Sequence, residues 1–333
     1  MSEDHQIDEQ RKQPHHHHHH HHRKHIFRNV VLTIVGVLVL AGVVFAGISW
    51  KNLSNMTTGM YQSSGADKSR NANSVLKNKK PVSILLLGTD TGDLGRDYKG
   101  RTDTMIIMTL NPKTGKTTMT SIPRDMYVNL PDYPQYSPAK INAAYAFGGV
   151  KESINVVQKE FKIPIDYYVL VNMGGMKKAI DQVGGVDVTS PLTFSYNGSS
   201  FTEGKKQHMN GETALNFSRM RHQDPQGDYG RQERQRLVIT ALLRKSISYK
   251  TVLNKAFLNS ISKQSKTDLT FSQMTKLALN YRGASKTVKS DYVKGTGKMI
   301  SGQSFQMVST NERQTTSNNV RDNLGLKRVQ IGD

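Results

Sequence analysis

Arginine side chains recur beside loops in the middle of this 333-residue sequence. Arg101 and Arg124 stand singly, and Arg219 and Arg221 form a pair in the segment SRMR. A planar guanidinium group can donate two parallel hydrogen bonds to one phosphate, so arginine suits phosphate recognition better than lysine. Residues two apart in an extended segment point to one face, which would let Arg219 and Arg221 grip one diphosphate. The arginines therefore predict a phosphate or diphosphate site.

Two aspartates lie close to these arginines in the sequence. Asp90 follows a buried strand predicted over 82–87, and Asp103 follows the glycine-rich loop GDLGRDYKGRT. In layered α/β proteins ligands bind where strands end in loops, and carboxylate oxygens suit a hard cation such as Mg²⁺. Either aspartate could instead cap a turn. Beside the arginines, however, the two carboxylates favour a phosphate site that includes a metal ion.

Four further polar residues could complete this site. Arg231 and Gln235 are four apart on a predicted helix and share a face. Asp228 just precedes that helix, where it could cap the helix or orient Arg231. Lys140 precedes another predicted helix and could add a positive charge. A solvated basic surface would explain any single arginine, but it explains less well why the arginines group beside loops and strand ends.

These residues lie in a stretch where strands and helices alternate. The turn sequence NPKTG at 111–115 joins two β-rich runs and predicts a hairpin. Apolar residues at spacings of four, three and four predict an amphipathic helix over 150–161. The alternation predicts one α/β layered domain over 81–333. The predicted strands are 82–87, 104–110, 116–122, 165–171, 186–189 and 305–308, and the predicted helices are 150–161, 176–183, 210–217, 230–248, 271–279 and 320–326.

The composition excludes several kinds of site. The chain has no Cys, which rules out disulfides, cysteine-ligated zinc, iron–sulfur clusters and thiol nucleophiles. Lys and Arg number 46 against 26 Asp and Glu, a formal net charge of +20. A charge of this size predicts an anionic partner, whether nucleic acid, lipid headgroup or phosphate-rich polymer.

One segment is apolar enough to cross a membrane. Residues 30–48 form a run of nineteen without a charge, which nearly spans a hydrocarbon core of ~30 Å as a helix. The run lacks the shorter apolar core and the cleavage site of a signal peptide, so we expect an uncleaved anchor at 29–50. Basic residues cluster before it, which predicts a cytoplasmic tail at 1–28 and an extracellular remainder. This is the single-pass type II arrangement in the cell membrane.

Two stretches of biased composition flank the anchor. Eight consecutive histidines at 15–22 lie inside the tail, where they could be a native tract, an inserted tag or a metal-binding tract, and we assign them no catalytic role. Residues 51–80 are rich in Ser, Asn, Gly and Lys without apolar periodicity, so we expect an extracellular linker. Residues 52–333 carry 40 basic and 22 acidic side chains, a net charge of +18 that outside the cell favours anionic wall polymers and lipid-linked phosphates.

Seven short motifs, in this order, resemble those of the LytR-CpsA-Psr family. They are GTD at 88–90, RTDTM at 101–105, SIPRD at 121–125, KINAAYAFGG at 140–149, VGGVDV at 183–188, SRMR at 218–221 and DYGRQERQ at 228–235. The resemblance is close over residues 80–250 and looser toward the C-terminus. The tail, the single anchor and the linker are also similar to the layout of the family.

The resemblance implies a single α-β-α layered domain that binds a polyprenyl pyrophosphate with the lipid in an apolar pocket. Such enzymes transfer a glycopolymer, typically wall teichoic acid or capsular polysaccharide, from an undecaprenyl carrier to peptidoglycan in Gram-positive walls. The expected partners are this lipid-linked glycopolymer, peptidoglycan and membrane lipid, without nucleic acid. By motif, Asp90 and Asp103 are similar to the carboxylates associated with Mg²⁺. The residues similar to the pyrophosphate-binding set are Arg101, Arg124, Arg219, Arg221, Asp228, Arg231 and Gln235, with Lys140 as a further candidate.

Two other functions stay open at this level. A lipid-pyrophosphate hydrolase with water as the acceptor would need the same phosphate site. A non-catalytic, membrane-anchored binder of anionic polymers would need only the positive charge, and its binding would weaken steeply with salt without depending on magnesium.

Overall fold

A mixed six-stranded sheet lies at the centre of the fold in the computed structural model, which describes residues 59–89, 100–246, 261–262 and 264–332. The strands are β1 (Val82–Thr89), β2 (Thr102–Asn111), β3 (Lys116–Ser121), β4 (Tyr127–Val128), β5 (Ala139–Lys140), β6 (Tyr167–Asn172), β7 (Val186–Thr189), β8 (Phe194–Tyr196), β9 (Ser199–Phe201), β10 (Lys206–Met209), β11 (Ser265–Thr267), β12 (Thr287–Tyr292), β13 (Thr296–Ile300) and β14 (Gln303–Met307). The order in the central sheet is β11–β6–β1–β2–β3–β12. β1 pairs antiparallel with β2 and parallel with β6, and β2 with β3 forms the hairpin predicted from NPKTG.

Helices cover both faces of this sheet. They are α1 (Ala72–Lys77), α2 (Ala143–Phe161), α3 (Met173–Gln182), α4 (Gly211–Arg219), α5 (Asp228–Ser246), α6 (Phe271–Asn280) and α7 (Thr310–Leu324). Alternate residues of a strand point to opposite faces. β1 therefore sends Leu85 and Leu87 into the cluster with α2 and α7, and Ile84 into the cluster with α1, α5 and α6. Burial on both faces explains the nearly continuous apolar sequences of β1 and β2. The predicted α/β domain is confirmed, in three layers.

The predicted tail at 1–28 and anchor at 29–50 lie outside the described residues. Among the helices that the structure describes, none is both long enough and apolar enough to span a membrane.

Residues 59–80, predicted as part of the linker, are instead packed against the domain. The Gln62 amide donates to the Thr267 carbonyl at 2.8 Å, beside β11. Arg70 donates through Nε and Nη2 to the two carboxylate oxygens of Asp166 at 2.8 and 2.5 Å, and the Asp166 side chain is fully buried. α1 then adds two buried aliphatic side chains to the core. Apolar periodicity did not predict that this segment packs on the domain, because polar contacts with residues far along the chain hold much of it in place.

Two helix starts also differ from the prediction. α2 begins at Ala143 rather than 150, because Gly149 (φ 68°, ψ −149°) kinks the helix and separates its first turns from the periodic apolar face. α7 spans Thr310–Leu324 rather than 320–326, since its polar first half shows no apolar stripe. The left-handed Gly325 (φ 66°) ends α7.

Breaking the Arg70–Asp166 pair should destabilise the whole domain. Arg70→Ala leaves a buried carboxylate without its counter-charge, which typically costs about 3–5 kcal/mol. We expect urea denaturation of the full-length protein in detergent to show a clearly lower midpoint. Arg328→Ala is the matched control, because Arg328 pairs with Asp322 in an exposed ion pair and its loss should change the midpoint little. An unchanged midpoint for Arg70→Ala would contradict the packing of residues 59–80.

Candidate active site

The candidate site lies at one edge of the central sheet. β2 runs antiparallel to β3, so the start of β2 and the end of β3 meet at this edge. Asp103 is the second residue of β2, and Arg124 follows β3 by three residues. The Arg124 guanidinium donates a hydrogen bond through Nη1 to the Asp103 carboxylate. The motifs RTDTM and SIPRD, which lie at the start of β2 and after the end of β3, are therefore joined by an ion pair.

A single carboxylate oxygen brings three arginines together here. Asp228 is the first residue of α5, and its Oδ1 lies 2.7 Å from Arg231 Nη2. The Nε atoms of Arg124 and Arg221 both lie 3.9 Å from the same oxygen. The second oxygen, Oδ2, accepts a hydrogen bond from Gln232 Nε2 at 2.9 Å. Asp228 thus orients Arg231, one of the two roles that the sequence leaves open for it.

Burial and charge act differently on the pKa values of Arg124 and Arg231. Burial alone would lower the pKa of Arg124, but the carboxylates of Asp103, Asp228 and Asp125 outweigh it, and the pKa is raised. For Arg231 burial prevails, and the positive charges of Arg124 and Arg221 add to it, so its pKa is lowered. Within the described residues, Nε of Arg124 and Nε of Arg231 are buried without a hydrogen-bond partner. Such donors suit an anion with several oxygen acceptors.

Lys140 lies at the same edge of the sheet and is connected to the arginines by Asp125, a residue that the sequence analysis missed. β5 pairs with β4 and places Lys140 opposite Tyr127, just beyond Arg124. Lys140 Nζ lies 3.0 Å from Asp125 Oδ1, and Asp125 Oδ2 lies 3.7 Å from Arg124 Nε. Asp125 therefore links Lys140 to the arginine cluster. The only sequence signal for Asp125 is its place next to Arg124 in SIPRD.

The remaining predicted residues have different positions. Arg101 is exposed and immediately precedes β2, and Gln235 lies one helical turn after Arg231 and is buried. Asp90 lies outside the described residues. The expectation that SRMR is extended is wrong, because Arg219 is the last residue of α4 and the backbone leaves the helical conformation only at Met220 (φ −53°, ψ 136°). The spacing of Arg219 and Arg221 therefore reflects a helix end and not alternation along a strand.

Arg234 is a further residue that the sequence analysis missed. It is fully buried in α5, and its Nε donates to the Phe217 carbonyl at 2.9 Å. Its two Nη groups reach the Met220 carbonyl and the Asp224 carboxylate. Arg234 therefore holds the backbone on either side of Arg219. The motif DYGRQERQ contains it, but periodicity alone does not separate a core arginine from a ligand-facing one.

An apolar cavity of about 270 Å³ lies between the sheet and α5, and its lining includes Ser218, which precedes Arg219 in sequence. Gln235 lines it together with aliphatic residues of the sheet and the helix. A second apolar cavity of about 320 Å³ shares Met108, Val169 and Leu243 with the first, so the two adjoin along this face. The charged edge and the apolar cavities together suit an amphipathic anion.

Of the two aspartates expected to bind Mg²⁺, only Asp103 lies within the described residues. There, no group of three or more His, Asp or Glu side chains is arranged to hold a metal ion. Magnesium usually takes one or two carboxylates and completes its shell with waters and substrate phosphates. The half-buried carboxylate of Asp103 beside the arginines fits this donor set. Asp90, the second expected carboxylate, stays a prediction.

This layered α/β domain with an arginine-lined edge belongs to the LytR_cpsA_psr family, whose sequence profile matches residues 48–322. The Enterococcus faecalis polyisoprenyl-teichoic acid–peptidoglycan teichoic acid transferase TagU is 42% identical over 305 residues, covering 91% of this chain and 99% of the relative. An E. faecalis protein described as a transcriptional regulator has a similar crystal structure, with a TM-score of 0.68 at 37% identity over 76% of this chain and 91% of that one. TagT bound to LIIa-WTA is similar at a TM-score of 0.62 and 25% identity, over 74% and 92%.

Arg234→Lys should loosen the segment that carries Arg219 and Arg221. Lysine keeps the charge, but its compact ammonium lacks the planar fork of donors with which Arg234 reaches two carbonyls and a carboxylate at once. Each buried group left unsatisfied costs about 1–3 kcal/mol. We expect a lower melting temperature and, in calorimetry, weaker binding of inorganic pyrophosphate. Arg328→Lys, an exposed arginine, is the control and should change neither quantity. Wild-type stability and affinity in Arg234→Lys would refute the positioning role.

Proposed function

We propose that the protein is a phosphotransferase that moves a glycopolymer from an undecaprenyl-pyrophosphate carrier to a hydroxyl of peptidoglycan, forming a phosphodiester. The glycopolymer would be a teichoic acid or a capsular or secondary wall polysaccharide. The observation that carries this proposal is the convergence of Arg124, Arg221 and Arg231 on one carboxylate beside an apolar cavity. A prenyl pyrophosphate requires both features, cations for its head group and apolar surface for its tail. The names of the relatives TagU and TagT bound to LIIa-WTA support the same substrate class.

The arginine cluster suits the chemistry of such a transfer. The oxygen of the acceptor hydroxyl attacks the phosphorus next to the glycan, and a new phosphodiester P–O bond forms as the bond from that phosphorus to the bridging oxygen breaks. Polyprenyl phosphate leaves with the bridging oxygen, and the hydroxyl proton passes to the leaving phosphate or to solvent. Negative charge spreads over the phosphoryl oxygens in the transition state, and the protein contributes mainly positioning and electrostatic stabilisation. Asp228 and Asp103 hold the arginines in place before the substrate arrives, so little reorganisation is needed during the reaction. The pyrophosphate bond is already activated, and no nucleotide is required.

Mg²⁺ is the proposed cofactor, with Asp103 and Asp90 as its protein ligands. When bound, it would neutralise charge on the phosphate oxygens. The Asp103 carboxylate also receives the Arg124 hydrogen bond, so this residue would align the metal with the arginine cluster. The predicted anchor at 29–50 would keep the domain at the outer surface of the membrane, where the lipid-linked donor meets the wall.

Arg221→Ala tests the arginine cluster. Losing one group that stabilises developing charge typically lowers the rate about 10²–10³-fold. The assay uses the full-length protein in detergent, a polyprenyl-pyrophosphate-linked saccharide and a peptidoglycan oligomer, and it measures the phosphodiester-linked product. Arg328→Ala, far from the cluster in sequence and exposed, should retain full activity.

The products separate this proposal from its alternatives. Normal activity of Arg221→Ala would refute the role of the cluster. Release of free glycan phosphate despite available acceptor would identify a hydrolase. Absence of both products, together with salt-sensitive polymer binding, would identify a binding protein.

Asp103→Asn tests the metal ligand. The amide oxygen can still accept the Arg124 hydrogen bond, but its lack of charge weakens the hold on Mg²⁺. We expect transfer to vanish when magnesium is chelated in the wild type, and Asp103→Asn to require a higher magnesium concentration for half-maximal rate. Asp322→Asn, at an exposed aspartate, is the control. Transfer at full rate in the presence of a chelator would contradict a magnesium requirement.

A further inference from the structure

Two exposed aromatic side chains, Tyr136 and Phe147, and the partly buried Tyr133 form a cluster that the site described above does not use. The rings of Tyr136 and Phe147 stack with centroids 4.3 Å apart and planes 7° from parallel. Tyr133 lies 6.0 Å from Phe147 at an angle of 31°. Tyr136 is 51% exposed and Phe147 38% exposed. Exposed apolar patches on soluble domains often mark binding surfaces, and we call these three residues the aromatic platform.

The fold holds the platform in place. Tyr136 ends the short 3-10 helix Pro134–Tyr136, and Phe147 lies in the first turns of α2. The buried Glu152 accepts a hydrogen bond from the Asp132 amide at 3.2 Å, which ties the loop before Tyr133 to α2. A Cβ at Gly148 would come within 2.7 Å of the Tyr133 ring, so glycine permits the close approach. A ligand would therefore meet rings that are already positioned.

The platform lies close to the arginine cluster. The amide of Asn142, just before α2, donates to the Arg124 carbonyl at 3.2 Å. Phe147 follows five residues later, a rise of roughly 8 Å along a helix. Tyr136 precedes Lys140 by four residues, so their Cα atoms are at most about 14 Å apart. A polymer bound on the platform is thus within a short reach of Lys140 and Arg124.

The platform and the apolar cavities lie on opposite faces of the sheet. The cavities lie on the α5 face, lined by Leu86 and Met108 among others. α2, which carries Phe147, packs on the other face. The arginines stand at the edge between the two faces. If the donor lipid occupies the cavities, as the proposed function requires, the platform is left for the second substrate.

The chemistry of the platform fits sugar rings. The C–H face of a pyranose packs against the electron-rich face of an aromatic ring, and hydroxyl and acetamido groups need polar partners nearby. Asp132, Lys151 and Asn155 supply these: Lys151 Nζ lies 2.9 Å from Asp132 Oδ2, and Asn155 Nδ2 donates to Asp132 Oδ2 at 3.2 Å. Resting on the proposed function, we propose that Tyr133, Tyr136 and Phe147 bind the glycan strand of the peptidoglycan acceptor and hold it beside the arginine cluster.

Kinetics with uncross-linked peptidoglycan glycan strands as acceptor test this proposal. In the full-length protein, Tyr136→Ala and Phe147→Ala should each raise the acceptor KM about tenfold, the loss expected for one aromatic contact. The kcat and the donor KM should stay within about twofold of wild type, since the arginines are unchanged. Tyr136→Phe retains the ring and should restore the wild-type acceptor KM. Tyr61→Ala removes a similarly exposed tyrosine (48%) outside the platform and is the matched control.

Calorimetric titration of the same glycan strands separates this proposal from the proposed function. Binding by the wild type that weakens in Tyr136→Ala and Phe147→Ala, but not in Tyr61→Ala, supports the platform even if no transfer is detected. Normal transfer with unchanged acceptor KM and unchanged strand affinity in both alanine variants overturns the platform while the proposed function stands. A wild type that does not bind the strands in the titration also overturns it.

Discussion

The carboxylate of Asp228 allows three arginines to share one edge of the sheet. Guanidinium groups this close repel one another, and burial adds a desolvation cost that is greatest for Arg231. One oxygen of Asp228 faces all three groups, and its place at the start of α5 gives its negative charge additional support from the helix dipole. The cluster can therefore exist before any phosphate binds, and the orientation of the rest of the site depends on this contact.

Two further contacts help to hold the arginines of the site in place. Arg234 fixes the backbone at the end of α4, and the turn after β3 carries Arg124 to Asp103. The two contacts join residues seventeen and twenty-one positions apart that lie near the same end of the central sheet. Because the edge separates two helix-covered faces, an apolar tail on the α5 face and a polymer on the α2 face can meet at the arginines without competing for space. A three-layer fold offers this separation, whereas a two-layer fold would cover only one face.

Much of the fold could be read from local patterns. The structure contains the predicted β2–β3 hairpin, the apolar strands and the helices with a clear apolar stripe. They could be predicted because turn residues and the spacing of apolar residues are local properties of the sequence. Segments held by distant polar contacts were missed. The Arg70–Asp166 pair links residues ninety-six positions apart, and no local pattern predicts that residues 59–80 pack on the domain.

The amino-acid sequence specifies which residue types are available and in what order. This information predicted the α/β class and the family resemblance, and it selected the arginines that we propose to bind phosphate. Which of these residues lie in contact follows from the tertiary structure. It placed Arg219 at a helix end, added Asp125 and Arg234, and put the cavities and the aromatic platform on opposite faces. The physical reason is that spacing encodes neighbours within a turn or a strand, while contacts between distant segments depend on how the layers pack.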